Sequence, residues 1–391
     1  MKLLIHSNAP WSPSGYGQQV ALFAPRLAEH TDLAISAFHG LSNATLNVAG
    51  LTIYPGSGSG WGNDVVQAHA EHHFGSLRGG LVLSLVDVFV LEPPVWRELN
   101  AAAWVPVDHD PAPPAVLGFF ASTGAVPIAM SRFGQERLRD FDPLYVPHGV
   151  ATDVYRPRPR AEGRAAAGVP RDAFAVGIVA VNKGAPSRKS LAEMVEAFAI
   201  FRARHDDAVL YLHTEIQGLH QGTHLPSLFD ELGLDEASVL VVDQGRYLHY
   251  PFTPEEMAAT YSSLDVLLNA SMGEGFGLTV LEAQACGVPA IVTDFTSMTE
   301  VCGAGWKVGY ERHWTDQASW QARPRVEELV ESLEACYRLD EASRRELSTR
   351  AREHALGYDA DAVLTEHWLP ALDEVAARLP GLTPPLRRRG S

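Results

Sequence analysis

The chain has 391 residues, of which 46% are hydrophobic and 20% are charged, a composition typical of a soluble globular protein. This length is too great for one ordinary core and indicates two domains. The formal net charge of -16 argues against nucleic acid as the main partner, because a phosphate backbone is bound by a basic surface. No stretch approaches the roughly 18–20 apolar residues of a membrane span.

The three cysteines, Cys286, Cys302 and Cys336, have no metal-like spacing, and we expect reduced thiols in a cytoplasmic protein. The opening residues MKLLIHSNAP predict a first strand over residues 2–7 rather than a signal peptide. A glycine-containing loop and an apolar-periodic helix near Val20 follow this strand. Strand, loop and helix in this order are typical of the opening of a doubly wound α/β domain.

The first loop contains Gly15, Tyr16 and Gly17 but no third glycine, so it lacks the dinucleotide-binding fingerprint. A tight turn without a ligand is an equal alternative. Further strands are predicted at residues 33–38, 51–54, 81–86, 103–107 and 127–131, with a helix at 132–139. Between two of them, residues 56–62 (GSGSGWG) predict a flexible surface loop carrying Trp61, which is either a lid or simply mobile.

A polar triplet, Asp108-His109-Asp110, follows the predicted strand at 103–107. Ligands of open α/β sheets bind at this carboxyl edge. The triplet also has the spacing of a metal-binding D-x-D pair. The same spacing recurs at residues 140–142 and 359–361, however, so such pairs are common by chance in this sequence and no metal is predicted.

Residues 156–172 (RPRPRAEGRAAAGVPRD) lack an apolar period and predict an interdomain connection. We therefore expect a Rossmann-like domain over 1–155, a second over 156–370, and a terminal segment over 371–391 as a candidate to pack back on the first. The last residues, GLTPPLRRRGS, predict a disordered end, with weak membrane-surface contact through 387–389 as an alternative.

The most informative stretch lies at residues 264–289, where a buried apolar run is followed by Gly273, Gly275 and Gly277 and then by a helix. Glycines between a strand and a helix N-terminus favour anion binding, because backbone N–H groups and the helix dipole point at the ligand. Glu274 and Glu282 are eight residues apart, and a carboxylate can accept two hydrogen bonds from vicinal hydroxyls. Phosphate beside sugar hydroxyls predicts a nucleotide-sugar ligand.

Three stretches together resemble the retaining glycosyltransferases of family 4, which have the GT-B fold. They are GEGFGLTVLEAQACGVP, similar to the E-x7-E motif; VPHGVATDVYRP at 146–157, similar to the turn before the interdomain linker; and the strand–loop–helix at 176–198. The loop reads NKGAPSRKS instead of the family's usual Arg-x4-Lys. Lys189 is the best match to the diphosphate-binding lysine, with Arg188 or Lys183 as its companion.

The resemblance implies an α/β GT-B protein whose two Rossmann-like domains face each other across a cleft, and it implies a role for each site residue. Glu274 would lie near the transferred sugar, Lys189 and Arg188 at the diphosphate, and Asp108 or His109 would orient sugar and acceptor. The further donor-binding candidates are Glu282 for the ribose, the backbone of Gly275, Phe276, Gly277 and Leu278, the loop residues Asn182 and Lys183, and Tyr247. The base is expected near residues 244–247 or after His213-Thr214, and the acceptor at Gly15, Tyr16, Gly17, Gln18 and Trp61.

The implied reaction transfers a sugar with retention from a nucleotide-diphosphate sugar, with UDP favoured over GDP, to a hydroxyl of a soluble small-molecule or glycan acceptor. It needs no metal and no dedicated base. The alternatives are a nucleotide-sugar epimerase or pseudo-glycosyltransferase, and a non-catalytic nucleotide-sugar binder. His213, His220 and His224 suggest zinc only weakly, because no cysteine or acidic ligand accompanies them. We expect a monomer or homodimer without integral membrane contact.

Overall fold

A computed structural model describes residues 1–38, 44–184 and 186–386. It divides into two compact units. The first combines Met1–Gly149, Asp316–Ser319 and the residues from Tyr358 onward, and the second combines Val150–Thr315 with Trp320–Gly357. The domain bounds at residues 155 and 370 stay a prediction. The suggested membrane contact at residues 387–389 lies outside the described residues.

The first unit contains an eight-stranded sheet with the order β3-β4-β2-β1-β5-β6-β7-β8, in which only the pair β3–β4 is antiparallel. The strands are β1 Lys2–Ser7, β2 Asp32–Ala37, β3 Leu46–Val48, β4 Leu51–Tyr54, β5 Leu81–Ser84, β6 Ala101–Val105, β7 Val126–Ala129 and β8 Leu144–Tyr145. The helices are α1 Gly15–Ala28, α2 Val66–Phe74, α3 Pro93–Trp96, α4 Pro114–Thr123, α5 Arg132–Arg137, α15 Ala360–Val363 and α16 Leu369–Arg378. Short 3-10 turns lie at Val88–Val90 and Arg139–Phe141, and a π turn joins α15 to α16 at Leu364–Trp368.

The second unit contains a parallel six-stranded sheet with the order β11-β10-β9-β12-β13-β14 and an antiparallel hairpin, β15–β16. The strands are β9 Phe174–Val179, β10 Ala208–His213, β11 Val239–Val241, β12 Val266–Asn269, β13 Ala290–Thr293, β14 Gly305–Val308, β15 Tyr310–Trp314 and β16 Trp320–Pro324. The helices are α6 Arg160–Ala167, α7 Leu191–Arg202, α8 Leu225–Glu231, α9 Gln244–His249, α10 Pro254–Ser262, α11 Leu278–Ala285, α12 Met298–Val301, α13 Val326–Tyr337 and α14 Glu341–Leu356.

The central strands of both sheets are apolar on both faces, since helices cover each side of a parallel sheet. Strand β9 is buried at all six positions, and β12 at all four.

The last part of the chain packs into the first unit through Trp368, which is fully buried. Its ring centroid lies 4.7 Å from that of Trp104 on β6 and 6.0 Å from that of Phe23 on α1.

The predicted connection at 156–172 contains a helix, α6, which sequence periodicity missed. Its contact face is made by small residues: a Cβ on Gly163 would lie 2.7 Å from the carbonyl oxygen of Ala259 on α10. The helix also carries a buried arginine, Arg164, which donates to Asp265 at 2.9 Å. A helix that packs through glycine, alanine and a paired arginine shows no apolar stripe.

Asp265 joins three parts of the second unit just before β12. Its carboxylate is 3% exposed, pairs with Arg160 at 2.7 Å and Arg164 at 2.9 Å, and accepts a hydrogen bond from the backbone N–H of Ala175 at 2.8 Å. The guanidinium of Arg344 on α14 lies 3.6 Å away. These contacts connect α6 and α14 to the amino ends of β9 and β12.

Replacing Asp265 by Ala is expected to lower the free energy of unfolding by about 3–5 kcal/mol, because it leaves Arg164 buried without a counter-ion. Chemical denaturation of the purified chain would measure this. Glu341→Ala is the matched control: it removes an exposed pair with Arg345 and should change stability by less than about 1 kcal/mol. Equal losses in the two variants would contradict the role of Asp265.

Candidate functional site

The glycine-rich loop between β12 and α11 is held in place by side chains that follow β13. The hydroxyl of Ser297 lies 2.7 Å from the carbonyl oxygen of Glu274 and 2.8 Å from that of Phe276, so its one hydrogen is shared between them. The hydroxyl oxygen of Thr296 accepts from the backbone N–H of Glu274 at 3.0 Å. Gly277 precedes α11 with φ = +105°, a conformation that favours glycine. The helix N-terminus therefore begins at a loop whose backbone is fixed before any ligand binds.

The two cations of the neighbouring loop meet the first glutamate of the motif. Lys189 Nζ pairs with Glu274 Oε1, and Arg188 lies 3.3 Å from Glu274 Oε2 while it also donates to the carbonyl oxygen of Gly273. The backbone N–H of Met272 donates to the carbonyl oxygen of Arg188 at 2.8 Å, which connects the two loops directly. Strands β9 and β12 are parallel neighbours, so both loops leave the same edge of the sheet.

Charge balance at this edge favours an anion. Burial alone would raise the pKa of Glu274, but Lys189 and Arg188 outweigh it and lower that pKa to about 2. The carboxylate is therefore ionised at neutral pH, and two cations share one negative charge. Lys183 on the same loop is exposed. Nearby, the amide of Asn182 donates to the carbonyl oxygens of Glu215 and Thr223 at 2.9 and 2.7 Å, which assigns it to the loop framework.

The second glutamate of the motif lies in a different environment. Glu282 on α11 is 7% exposed, and the hydroxyl of Tyr261 on α10 donates to its Oε2 at 2.7 Å. Burial raises the pKa of Glu282 to about 7, although hydrogen bonds from the hydroxyls of Tyr261 and Tyr155 counteract part of that shift. Sequence reasoning missed both tyrosines. Tyr155 lies inside the VPHGVATDVYRP stretch, which was a usable signal, whereas Tyr261 looks like an ordinary core residue of an amphipathic helix.

The region predicted to stack a base contains an aromatic cluster at the end of β10. The ring of His213 lies 5.4 Å from that of Tyr247 on α9 and 4.6 Å from that of Phe252. Burial lowers the pKa of His213 to about 4, so this ring is neutral at pH 7. Beside it is a cavity of about 560 Å³, whose lining includes Tyr211, Arg246 and Phe252. The cavity adds Phe252 to the region predicted from residues 244–247 and His213, and Arg246, which lies within that predicted range, lines it.

In the first unit, the polar triplet lies at the carboxyl end of β6 as predicted. His109 is buried, and its Nδ1 lies 2.7 Å from Asp108 Oδ1. The side chain of Asp108 is 21% exposed, so it is the member of the pair that solvent reaches. Asp110 is bound on both oxygens by Arg137, at 2.8 and 3.2 Å. The side chain of Asp110 is more exposed, at 34%, but both of its oxygens are occupied by Arg137.

The predicted acceptor residues 15–18 form the first turn of α1 rather than a loop. Ser14 caps this helix by accepting from the backbone N–H of Gly17 at 3.0 Å. A Cβ on Gly17 would lie 2.5 Å from the carbonyl oxygen of Ser12, so the glycine allows a close backbone approach. The hydroxyl of Tyr16 donates to Asp87 at 3.2 Å, and Gln18 is exposed.

The loop that carries Trp61 is bound by side chains at both of its ends, although its sequence predicted a flexible segment. Asp64 accepts from the hydroxyls of Ser57 and Ser59 at 2.5 and 2.7 Å and from the backbone N–H of Gly58 at 2.9 Å. These hydrogen bonds lower the pKa of Asp64 to about 2. The carbonyl oxygen of Trp61 lies 2.9 Å from Nε2 of buried His6. Sequence reasoning could not see His6, which is 55 residues away.

No group of three or more His, Cys, Asp or Glu side chains in the described part of the chain could hold a metal ion. None of the helices in the same residues is long and apolar enough to cross a membrane.

Two α/β units, each with a mainly parallel sheet of these topologies, are typical of the GT-B fold. Comparisons with solved structures confirm this fold. The Anabaena protein HepE, solved in complex with UDP and glucose, matches with a TM-score of 0.67 at 14% identity, over 94% of this chain and 98% of that one. Sucrose-phosphate synthase from Thermosynechococcus elongatus matches with a TM-score of 0.72 at 16% identity, over 96% and 100% of the two chains. At such identities the likeness concerns the fold alone.

The chain also has sequence relatives. Residues 175–335 match the family model described as Glycosyl transferases group 1. The D-inositol 3-phosphate glycosyltransferase of Arthrobacter sp. (strain FB24) is 31% identical over 243 residues, which are 60% of this chain and 52% of that protein. That of Thermobispora bispora is 31% identical over 238 residues, covering 59% and 51%. The chain thus spans about half the length of the curated relatives it matches.

Replacing Gly277 by Ala is expected to lower the free energy of unfolding by about 1–3 kcal/mol, because a side chain is strained at φ = +105°. Thermal denaturation would measure it. Gly118→Ala on α4 is the control: its Cβ meets nothing within 4 Å, and alanine favours a helix there, so stability should stay constant or rise by up to about 1 kcal/mol. If Gly277→Ala behaves like this control, the conformation assigned to the loop is wrong.

Proposed function

We propose that this protein is a retaining glycosyltransferase that moves a sugar from a nucleotide-diphosphate sugar to a hydroxyl of an acceptor. The observation that carries the proposal is the pairing of Lys189 and Arg188 with Glu274 beside the N-terminus of α11. The pairing lies inside residues 175–335, which match Glycosyl transferases group 1. A UDP-sugar is the first candidate donor and a GDP-sugar the second.

The cations would bind the diphosphate of the donor. When the anomeric C–O bond breaks, negative charge develops on the leaving phosphate oxygens, and preorganised positive groups stabilise it. Lys189 and Arg188 are already oriented by Glu274, and the backbone N–H groups of residues 275–278 lie at the start of α11. In this proposal Glu274 has two tasks: it holds the cations in position and borders the transferred sugar. The chain's own groups then supply the charge that a metal supplies in other transferases.

Glu282 would accept hydrogen bonds from the ribose hydroxyls of the donor. Its carboxylate already accepts from the hydroxyls of Tyr261, at 2.7 Å, and Tyr155, and a carboxylate has further lone pairs that the ribose hydroxyls would use. The base would lie against the cluster of His213, Tyr247 and Phe252, whose neutral aromatic faces suit stacking.

In the proposed front-face mechanism, the acceptor attacks the sugar on the same face from which the diphosphate departs. The acceptor oxygen forms the new bond to the anomeric carbon while the bond from that carbon to the phosphate oxygen breaks. The acceptor proton passes to the leaving phosphate oxygen, so no separate base is needed. Asp108, steadied by His109 at 2.7 Å, would orient the hydroxyls of the reacting sugar and acceptor.

Lys189→Ala should lower the rate of nucleoside diphosphate release from the donor by at least about 100-fold, because it removes charge at the leaving group. The assay compares a panel of UDP- and GDP-sugars with and without acceptor. Lys307→Ala is the matched control, since Lys307 is exposed on β14 and should not affect turnover. Near-normal release by Lys189→Ala would disprove the assigned role. Release without any glycosylated product would instead indicate a hydrolase.

Donor binding should tighten with pH if Glu282 holds the ribose, since its pKa is raised to about 7 and only the ionised form accepts strongly. Between pH 6 and 8 the affinity for a UDP-sugar should rise by roughly tenfold in isothermal titration, by proton linkage. A nucleotide-sugar is the suitable probe because its esterified diphosphate has no ionisation in this range, unlike a terminal phosphate. Glu282→Gln should bind more weakly and with no pH dependence. If the affinity of Glu282→Gln rises with pH as steeply as that of the wild type, the group that titrates is not Glu282.

A further inference from the structure

We propose that the acceptor is an uncharged, hydroxyl-bearing ring, a neutral sugar or cyclitol, which stacks on Trp61, and that it carries no phosphate. This inference rests on the proposed function and narrows its acceptor. It distinguishes the chain from the relatives named for D-inositol 3-phosphate, a phosphorylated compound.

The carboxyl edge of the first unit's sheet presents large aromatic side chains to solvent. Trp11, Trp61 and Phe89 are 42%, 40% and 44% exposed. They lie in the segments that follow β1, β4 and β5. In the sheet order β4-β2-β1-β5, β1 and β5 are neighbours, and β4 is separated from β1 by one strand, β2. Because the strands are parallel, all three segments leave the same edge, where ligands of open α/β sheets bind. Flat apolar faces beside polar groups suit the apolar face of a sugar ring.

The Trp61 loop is built into the unit rather than loosely attached. Its neighbour Asn63 accepts from the backbone N–H of Glu92 at 3.0 Å and from the indole of Trp96 at 3.1 Å, and it donates to the carbonyl oxygen of Val90 at 3.1 Å. These bonds tie the loop to the segment that carries Phe89. A preorganised platform binds a ring without the entropic cost of ordering a loop.

The Trp61 loop is also connected to the core by a chain of buried polar groups. His6 contacts the carbonyl oxygen of Trp61 through Nε2 and the hydroxyl of Ser36 through Nδ1, both at 2.9 Å, and that hydroxyl lies 2.9 Å from Nδ1 of His69. A Cβ on Gly62 would lie 2.5 Å from the His6 ring, so glycine is required for this contact.

The charges near this edge oppose a phosphate. Seven Lys and Arg residues occur in residues 1–149: Lys2, Arg26, Arg78, Arg97, Arg132, Arg137 and Arg139. Lys2, Arg78 and Arg97 lie at or before the amino ends of β1, β5 and β6, away from this edge. Arg26 lies in the last turn of α1. Arg139 pairs with Glu136 before β8. The other two cations, Arg132 and Arg137, lie on α5, after the carboxyl end of β7. Arg137 pairs with Asp110, and Arg132 lies 3.6 Å from the ring centroid of Tyr145.

Carboxylates outnumber these cations at the same edge. They are Asp64, Asp87, Asp108 and Asp110, in the segments that follow β4, β5 and β6. A phosphate is normally bound by arginine or lysine, and neighbouring carboxylates repel it. Carboxylates accept hydrogen bonds from hydroxyl groups, however, and so suit the rim of a neutral sugar.

The test compares neutral rings with their phosphates on the full chain in the presence of UDP. Myo-inositol, glucose and mannose are paired with D-inositol 3-phosphate, glucose 6-phosphate and mannose 6-phosphate, and binding is followed by saturation-transfer NMR. At least one neutral ring should bind at least tenfold more tightly than its phosphate, with little dependence on salt. Tighter binding of the phosphates, or binding of no ring from either set, would overturn the inference.

Variants test the platform. Trp61→Ala should weaken binding of the neutral ring, or raise its KM, by at least tenfold with kcat little changed, whereas Trp61→Phe should keep most of the affinity. Trp314→Ala is the matched control, because Trp314 is 53% exposed on the hairpin of the second unit. Equal affinity in Trp61→Ala and the control would refute the stacking role. Binding of a UDP-sugar without acceptor is measured in parallel. If the wild type does not bind it, the proposed function is refuted. If the wild type binds it but no ring binds as expected, only the inference about the acceptor is refuted.

Discussion

The ion pairs between Glu274 and the two cations Lys189 and Arg188 are the interaction on which the candidate site of the second unit depends. A carboxylate buried alone would cost several kcal/mol, and two adjacent free cations would repel each other. Together they connect the loops after β9 and β12, two parallel neighbours, and leave a net positive charge at the start of α11. The side chains of Thr296 and Ser297 after β13 complete this framework. The segments after three neighbouring strands, β9, β12 and β13, therefore form one positively charged edge of the sheet.

The two glutamates of the motif differ because their surroundings differ. Glu274 lies beside cations, which keep it ionised, whereas Glu282 lies against tyrosine hydroxyls in a buried pocket and has its pKa raised to about 7. Identical side chains eight residues apart thus have different protonation behaviour. This division is consistent with one carboxylate that organises positive charge and another that binds neutral hydroxyls.

The first unit is organised differently: the carboxyl edge of its sheet combines exposed aromatic rings with carboxylates and few cations. The Trp61 loop shows how this edge is built, since Asp64 binds the loop's serines while His6 contacts its backbone. The serines and glycines that make this sequence look flexible have specific contacts: Ser57 and Ser59 donate to Asp64, and Gly62 leaves space for the His6 ring. Similarly, α6 looks like a linker because its packing face consists of glycine, alanine and Arg164, which is paired with Asp265.

The sequence by itself determined the α/β class and most strand positions, because buried parallel strands are continuous apolar runs and glycines mark their loops. The GT-B fold was implied by the resemblance of three stretches to family 4 glycosyltransferases. It also indicated Glu274, Lys189 and Arg188 through short motifs, although their roles stay proposals. It did not reveal Tyr261 beside Glu282, His6 beside Trp61 or the hairpin β15–β16. Only the tertiary structure decided these contacts, and with them the pKa of each glutamate. The physical reason is that burial and pairing depend on residues far apart in the chain, while periodicity records only what each segment buries.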